Sequence, residues 1–150
     1  MIKIVLAGEP VGKGRHRSKL MSKIGDTGKA QTFIMNYPAP KTARFEDRLA
    51  WAAQVAMVGK KLLEGPLEVA LTAYVSIPAS KSAKWKAEAL AGRILPTKKP
   101  DWDNFAKCSD ALNKVVWIDD SQVVTAFVCK RYSDQPRMEI IVSPCLTQTI

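Results

Sequence analysis

The segment that decides the fold is DWDNFAKCSDALNKV, residues 101–115. Its middle predicts a helix that begins near Asp103, because Phe105, Cys108 and Leu112 recur at helical spacing and would face inward. Charged and polar groups occupy the positions between them. The segment therefore combines a core-facing helix with ionisable side chains, and its acidic members are the first candidates for a functional site.

Asp101 and Asp103 stand two residues apart at the start of this helix. Alternate side chains of an extended segment point to the same side, and Pro100 favours extended backbone just before it. If Asp103 opens the helix, Lys107 follows one turn later on the same face. The same residues fit a plain alternative, in which Asp103 caps the helix and its pair with Lys107 is a surface ion pair.

A second acidic pair, Asp119 and Asp120, follows the helix at the start of the next strand. One of its carboxylates would join Asp101 and Asp103 if that strand runs beside the start of the helix. Three converging carboxylates repel one another unless a cation neutralises them, and Mg²⁺ takes carboxylates, waters and phosphate oxygens as ligands. The spacing alone does not decide between Asp119 and Asp120 as the third ligand, or between a metal site and an ordinary turn.

Charge is distributed unevenly along the chain, which has a net charge of +9 and an isoelectric point near 9.6. Residues 1–61 carry 12 Lys and Arg against 4 Asp and Glu, whereas residues 101–150 carry 5 against 7. The basic part predicts a polyanionic partner, because Lys and Arg neutralise phosphates. Acids that face such a partner weaken binding unless a cation lies between them, so the acidic part favours a metal-dependent reaction on nucleic acid.

The pattern on either side of this segment predicts alternating helices and strands. Four β-rich runs predict strands: residues 2–7, 67–77, 122–132 and 137–143. The last two are expected to form a hairpin around residues 133–136. Two further helices are predicted, from Thr42 to about Leu63 and from Ser82 to Ala91, and residues 8–41 are expected to be a long basic loop with short strand pieces. This order predicts one α/β (α+β) domain, residues 1–150, with a mixed sheet flanked by helices.

Three spaced elements of the sequence resemble the signature of a known family. They are Asp101-x-Asp103-Asn104-x-x-Lys107, then Asp110-Ala111-Leu112, then Asp119-Asp120-x-Gln122-Val123. In this order they resemble the RusA family of Holliday-junction resolvases, which are homodimers of mixed α/β fold. The likeness is strong over residues 98–124. It is weaker at three places before them: Gly8-Glu9-Pro10, Lys13 to Arg17, and Tyr37-Pro38 with Lys41.

The resemblance implies a magnesium-dependent DNA endonuclease that acts in recombination and repair. Family members bind four-way DNA junctions and make paired nicks in opposing strands, and many are carried by phages or prophages. Carried over residue by residue, the metal-binding aspartates fall on Asp101, Asp103 and Asp120, and the functional lysine falls on Lys107. The implied cofactor is Mg²⁺, with Mn²⁺ as a substitute.

This chain departs from the family pattern at two places. The connection at residues 113–116 lacks the glycine that many members place there, which leaves the placement of Asp120 open by one residue. The segment from Ser18 to Thr32 looks longer than the compact version of the family. The longer segment bears on how the substrate is bound more than on catalysis.

Basic residues outside the acidic motif are candidates for contacts with DNA phosphates, which position DNA without reading its sequence. The candidates are Lys13, Arg15, Arg17, Lys41, Lys98 and Lys99. Each also fits an ordinary solvated basic loop. The glycine-rich run Gly8–Gly14 lacks the spacing and the Ser or Thr of a nucleotide-binding phosphate loop, so no nucleotide cofactor is expected.

Composition restricts the remaining possibilities. Three cysteines without a CxxC pair and a single histidine give no convincing zinc site. No stretch reaches the roughly 20 apolar residues of a membrane helix, and the first residues lack the pattern of a signal peptide. A cytoplasmic protein without a membrane partner is therefore expected. Two other functions stay open: a non-catalytic nucleic-acid-binding protein and a magnesium-dependent nucleotide hydrolase.

Overall fold

A computed structural model describes residues 1–146 of the chain. The strands are β1 (Ile2–Ala7), β2 (Arg17–Ile24), β3 (Ala30–Tyr37), β4 (Leu67–Ser76), β5 (Val123–Ser133) and β6 (Arg137–Pro144). The helices are α1 (Pro40–Ala56), α2 (Ala83–Leu90) and α3 (Trp102–Ala106), with two 3₁₀ segments, η1 (Lys107–Leu112) and η2 (Asp120–Gln122). No helix within this part of the chain is long and apolar enough to span a membrane.

Four strands form the main sheet in the order β1-β6-β4-β5. β4 pairs antiparallel with β6 and parallel with β5, so the predicted α+β fold with a mixed sheet is confirmed. Alternate residues of β1, β4 and β6 are buried, and the register aligns them in rows such as Ile4, Ile140 and Leu71. Because alternate side chains lie on one face of a strand, these rows form one apolar face.

α1 and the α3–η1 segment bury apolar side chains in the same core as this sheet. α1 contributes Phe45, Leu49 and Ala53, and α3–η1 contributes Phe105 and Cys108. Each fully buried large side chain adds about 1.5–3 kcal/mol of hydrophobic stabilisation. The inward positions predicted for the helix of the acidic motif are confirmed, and this packing fixes the helix on the sheet.

α1 differs from its predicted range at both ends. It begins at Pro40, before the expected cap Thr42, and it ends at Ala56 instead of Leu63. Proline is favoured in the first turn, because the N–H that it lacks has no partner there in any helix. The helix ends early because Gly59 takes a φ of 73°, a left-handed conformation that only glycine adopts at low cost.

The expected long loop at residues 8–41 is wrong for most of its length. β2 and β3 form a regular antiparallel hairpin over residues 17–37. The chain reverses at Gly25, whose N–H donates to the carbonyl of Lys29, with Gly28 at a φ of 75°. Nearly every residue of the hairpin is exposed. The alternation of apolar and polar residues that marks a half-buried strand is therefore missing from the sequence.

The expected hairpin between residues 122–132 and 137–143 is wrong in its pairing. Both strands exist, but β4 lies between β5 and β6 and pairs with each of them. Strands that follow one another in sequence are neighbours only about two-thirds of the time. A local turn signal cannot show that a third strand, more than 45 residues earlier in the chain, separates them.

Candidate active site

α3 opens on the acidic motif. Asp101 is its N-cap residue, with extended backbone at φ −69° and ψ 152°, and Asp103 lies in the first turn. The helix thus begins slightly earlier than expected, and it tightens into 3₁₀ geometry from Lys107 onward. The side chain of Asp101 makes no capping hydrogen bond within the described residues. Its carboxylate is therefore not occupied in holding the helix end.

Lys107 and Asp103 form the pair that their spacing predicts. Lys107 Nζ lies 2.9 Å from Asp103 Oδ2 and 3.4 Å from Asn104 Oδ1. The hydrogen bond from Lys107 lowers the pKa of Asp103 below its ordinary value, so this carboxylate stays ionised to lower pH. Both side chains are about half exposed, at 55% and 46%, so their attraction adds little to stability. The two groups are instead accessible to a bound substrate.

The second acidic pair divides into two different environments. Asp119 caps η2, since its Oδ1 accepts the backbone N–H of Ser121 at 2.9 Å. Hydrogen bonds from the side chain and the backbone of Ser121 lower the pKa of Asp119. Asp120 instead lines a cavity of about 150 Å³ together with Ala106 and Ser109. Of the two residues, Asp120 is thus the one that shares a cavity with residues at the end of α3 and in η1.

Gln122 holds this acidic turn in place. Its Oε1 accepts the backbone N–H groups of Ile118 and Asp119 at 2.9 and 3.1 Å. Its Nε2 donates to the carbonyl oxygens of Leu63 and Gly65, both at 3.1 Å. One side chain thus ties η2 to the segment before β4. Sequence patterning assigned Gln122 no role, although a Gln three residues after a capping Asp is a capping-box signal.

Lys13, a predicted phosphate contact, is enclosed by two carboxylates. Its Nζ lies 2.8 Å from Asp110 Oδ2 and 3.1 Å from Glu46 Oε1, and its side chain is only 17% exposed. Burial lowers the pKa of Lys13, but the attraction of Asp110 and Glu46 outweighs it and raises the pKa above its ordinary value. The backbone N–H of Lys13 also donates to the carbonyl of Asn104 at 2.8 Å. Lys13 therefore fastens the basic loop to the acidic motif, and its charge is matched inside the protein.

Arg15, another predicted phosphate contact, borders a depression next to Lys107. Arg15 and His16 line it with Asn104 and Lys107, and its volume is about 350 Å³. Arg17 follows directly as the exposed first residue of β2. Arg15 therefore places a positive charge in the depression beside the lysine of the acidic motif.

A lysine of the sheet, Lys130, contacts the residues that precede the acidic motif in the chain. Lys130 of β5 donates from Nζ to the carbonyl oxygens of Lys98 and Pro100 at 2.6 and 2.9 Å. Lys98 and Lys99 border a depression of about 190 Å³ with Lys130. Lys41 is exposed in the first turn of α1. Lys130 was missed in the sequence because its strand gives no local sign of proximity to the motif.

Three carboxylates are a donor set suited to Mg²⁺, which prefers oxygen ligands. As the side chains stand, residues 1–146 contain no group of three His, Cys, Asp or Glu that could hold a metal ion. Asp120 shares its cavity with Ala106 and Ser109, toward the end of α3, whereas Asp101 stands at its beginning. Mg²⁺ is commonly held by one or two carboxylates with waters and substrate phosphates. The donor chemistry therefore fits this cation, and the joint role of Asp101, Asp103 and Asp120 as ligands stays a prediction.

Comparison with known proteins identifies a family that matches this chain. A family model described as Endodeoxyribonuclease RusA matches residues 7–143, which include all the site residues above. The chain belongs to the RusA family. It is also 37% identical over 144 residues to the uncharacterized protein YqaN of Bacillus subtilis (strain 168), and the match covers 94% of each chain.

The predicted resemblance to RusA is thereby confirmed beyond the segment that first suggested it. The strong likeness in the sequence was confined to residues 98–124, whereas the RusA match begins in β1 and ends in β6. It takes in the hairpin β2–β3 and the basic loop that Lys13 fastens to the motif. The RusA description identifies the family as one of enzymes that cut DNA internally.

Proposed function

We propose that this protein is a magnesium-dependent endonuclease that resolves four-way DNA junctions by paired nicks in opposing strands, and that it acts in DNA recombination and repair. The observation that carries the proposal is the RusA match over residues 7–143, with the exposed acidic motif at the start of α3 inside it. Basic depressions lie next to both ends of that motif. A phosphodiester backbone is a substrate that suits this arrangement of charge.

The acidic residues of this site have the chemistry to hold a divalent cation. Asp101, Asp103 and Asp120 would provide the carboxylate oxygens, and Mn²⁺ would replace Mg²⁺ because both accept such ligands. A bound ion of this kind activates water and stabilises charge at a phosphate. The proposed role of the three aspartates is therefore to supply oxygen ligands on the DNA-facing side of α3.

Lys107 would act on the phosphate itself. Its ammonium group is exposed, and its hydrogen bond to Asp103 keeps it beside the acidic motif. A positive charge at this position stabilises the negative charge that develops on the phosphate oxygens during cleavage. Arg15 and His16, in the same depression, would position the DNA backbone without taking part in the reaction.

Paired cutting requires two active sites. A four-way junction has two-fold symmetry, and a C2 homodimer presents two identical sites related by the same symmetry. We therefore propose a homodimer as the active form. Neither a nucleotide cofactor nor a membrane partner has a place in this proposal, and a phage or prophage origin is compatible with it.

The test is cleavage of a synthetic four-way junction whose four strands are labelled separately. With Mg²⁺ the purified protein should nick two opposing strands, Mn²⁺ should support the same reaction, and EDTA should stop it. A linear duplex of the same sequence and free nucleoside triphosphates serve as controls. Binding of the junction without any nicking would favour a non-catalytic binding protein, and turnover of free nucleotides alone would favour a nucleotide hydrolase.

A further inference from the structure

The hairpin β2–β3 stands apart from the core. Within residues 1–146 its two strands pair with each other and with no strand of the main sheet. The buried core of the described chain contains no side chain from residues 17–37. An isolated two-stranded hairpin is marginally stable in water. Packing inside this chain therefore does not explain the sequence of the hairpin.

The register of the hairpin sorts its side chains onto two faces, because directly opposed residues lie on the same face of a strand pair. One face, called the basic face below, consists of four pairs: Arg17 with Tyr37, Lys19 with Met35, Met21 with Phe33, and Lys23 with Gln31. The opposite face, called the uncharged face, consists of Ser18 with Asn36, Leu20 with Ile34, Ser22 with Thr32, and Ile24 with Ala30. Every charged side chain of the two strands is positive and lies on the basic face.

The basic face begins at the residue that follows the depression of the candidate active site in the chain. Arg15 and His16 line the depression beside Lys107, and Arg17 is the next residue of the chain. From Arg17 to Lys23 the strand advances about 20 Å at roughly 3.4 Å per residue. DNA rises about 3.4 Å per base pair, so this length corresponds to roughly six base pairs. The basic face is therefore long enough to contact several successive phosphates of a DNA backbone.

We propose that the basic face of the β2–β3 hairpin is a DNA-backbone contact, in which Arg17, Lys19 and Lys23 bind phosphates of one arm of the substrate. The proposal rests on the proposed function for the identity of the polyanion, and it adds a binding surface outside the acidic motif. The contact is independent of base sequence, because it is made with phosphates.

A charge-neutralising double variant tests this contact. Lys19→Gln with Lys23→Gln removes two positive charges from the basic face, and both residues are exposed, so folding should be unaffected. Binding of a four-way junction and of a linear duplex is measured in EDTA over a range of salt concentrations. The logarithm of the binding constant falls linearly with the logarithm of the salt concentration, and each phosphate contact contributes about 0.9 to the magnitude of this slope. Loss of two contacts should therefore decrease the magnitude of the slope by about 2.

Two matched variants make this result specific. Lys60→Gln with Lys61→Gln removes the same charge from exposed positions after α1, and the slope should stay that of the wild type. Leu20→Thr with Ile34→Thr alters the uncharged face, where these side chains are 67% and 68% exposed, and it should also leave the slope unchanged. An unchanged slope for the Lys19 and Lys23 variant, or an equal loss in either matched variant, would overturn the proposal.

The hairpin contact and the proposed enzymatic function can fail independently, because binding is measured without cleavage. A decrease of about 2 in a protein that fails to nick junctions would support the hairpin contact and contradict the enzymatic proposal. Normal nicking by the wild type, with an unchanged slope for the Lys19 and Lys23 variant, would contradict the hairpin contact alone.

Discussion

Asp119 and Asp120 are neighbours in the chain, yet their carboxylates have different surroundings. That of Asp119 is engaged in capping η2, and that of Asp120 borders the cavity shared with Ala106 and Ser109. Their spacing in the sequence does not distinguish the two residues, because an acidic pair before a strand is compatible with a turn as well as with a metal ligand. The distinction depends on which backbone N–H groups lie nearby, and this is known only once the chain is folded.

The first prediction compares these two aspartates. Asparagine caps a helix about as well as aspartate, so Asp119→Asn should keep the turn and most of the cleavage activity. Asp120→Asn should reduce the cleavage rate on the order of 10²–10³-fold, as expected when a group that stabilises charge in the reaction is removed. Rates are measured on a four-way junction with Mg²⁺. Equal losses in both variants would contradict the separate roles.

The second prediction concerns the reactivity of the Cys108 thiol. Burial raises the pKa of this thiol to about 11, and its Sγ lies 3.2 Å from the carbonyl of Val11. At pH 8 the folded protein should therefore react with iodoacetamide at Cys129 and Cys145, which are half-buried, and leave Cys108 unmodified. Mass spectrometry of the native protein gives the pattern. Rapid labelling of Cys108 would show that the contact with the basic loop is open.

The same pKa shift has a consequence for stability. The unfolded chain ionises this thiol near pH 9, whereas the folded chain holds the proton to higher pH. The stabilisation is therefore fully present below pH 9 and is lost as the pH rises toward about 11. Urea denaturation should show the wild type losing more stability than Cys108→Ala over this pH interval.

At the scale of elements, the sequence predicted what depends on the local pattern. β1, β4 and β6 alternate between buried and exposed positions, and the helices show their apolar faces, so all were recognised. The pairing of β5 with β4, the end of α1 at Ala56 before Gly59, and the hairpin at residues 17–37 were not recognised. The first depends on long-range contacts, the second on one residue, and the third has no buried face to leave a pattern.

The third prediction concerns the link between the acidic turn and the segment before β4. Gln122→Ala removes the four hydrogen bonds of one side chain. Each carries a modest net free energy, and water can reach the groups of the three exposed bonds, so the variant should be destabilised by about 1 kcal/mol. Urea denaturation measures this, with Gln54→Ala on the exposed side of α1 as the matched control. If the two variants were equally stable, Gln122 would not hold the turn.

At the scale of the whole molecule, charge and family point to the same substrate. Positive side chains on the basic loop and on β5 border the acidic motif, although they are far apart in sequence. Three more lie on one face of the hairpin that follows the basic loop in the chain. The sequence revealed the unequal distribution of charge but not its arrangement in space. The RusA match accounts for the chain from residue 7 to residue 143 and makes DNA the expected polyanion.

The fourth prediction concerns the assembly. A protein that makes symmetric nicks in a two-fold symmetric junction should be a homodimer at the concentration where it cuts. Light scattering coupled to gel filtration should give twice the chain mass of 16.5 kDa. A monomer at micromolar concentration that still nicks both opposing strands at equal rates would contradict this requirement.

The most direct test of the central claim compares binding and cleavage of a four-way junction by Asp101→Asn and Asp103→Asn with those of the wild type. Both residues are accessible at the start of α3, so neither change should disturb the fold. Both variants should bind the junction at least as tightly as the wild type in EDTA and fail to nick it with Mg²⁺. Cleavage at the wild-type rate by both variants would show that the acidic motif is not the active site.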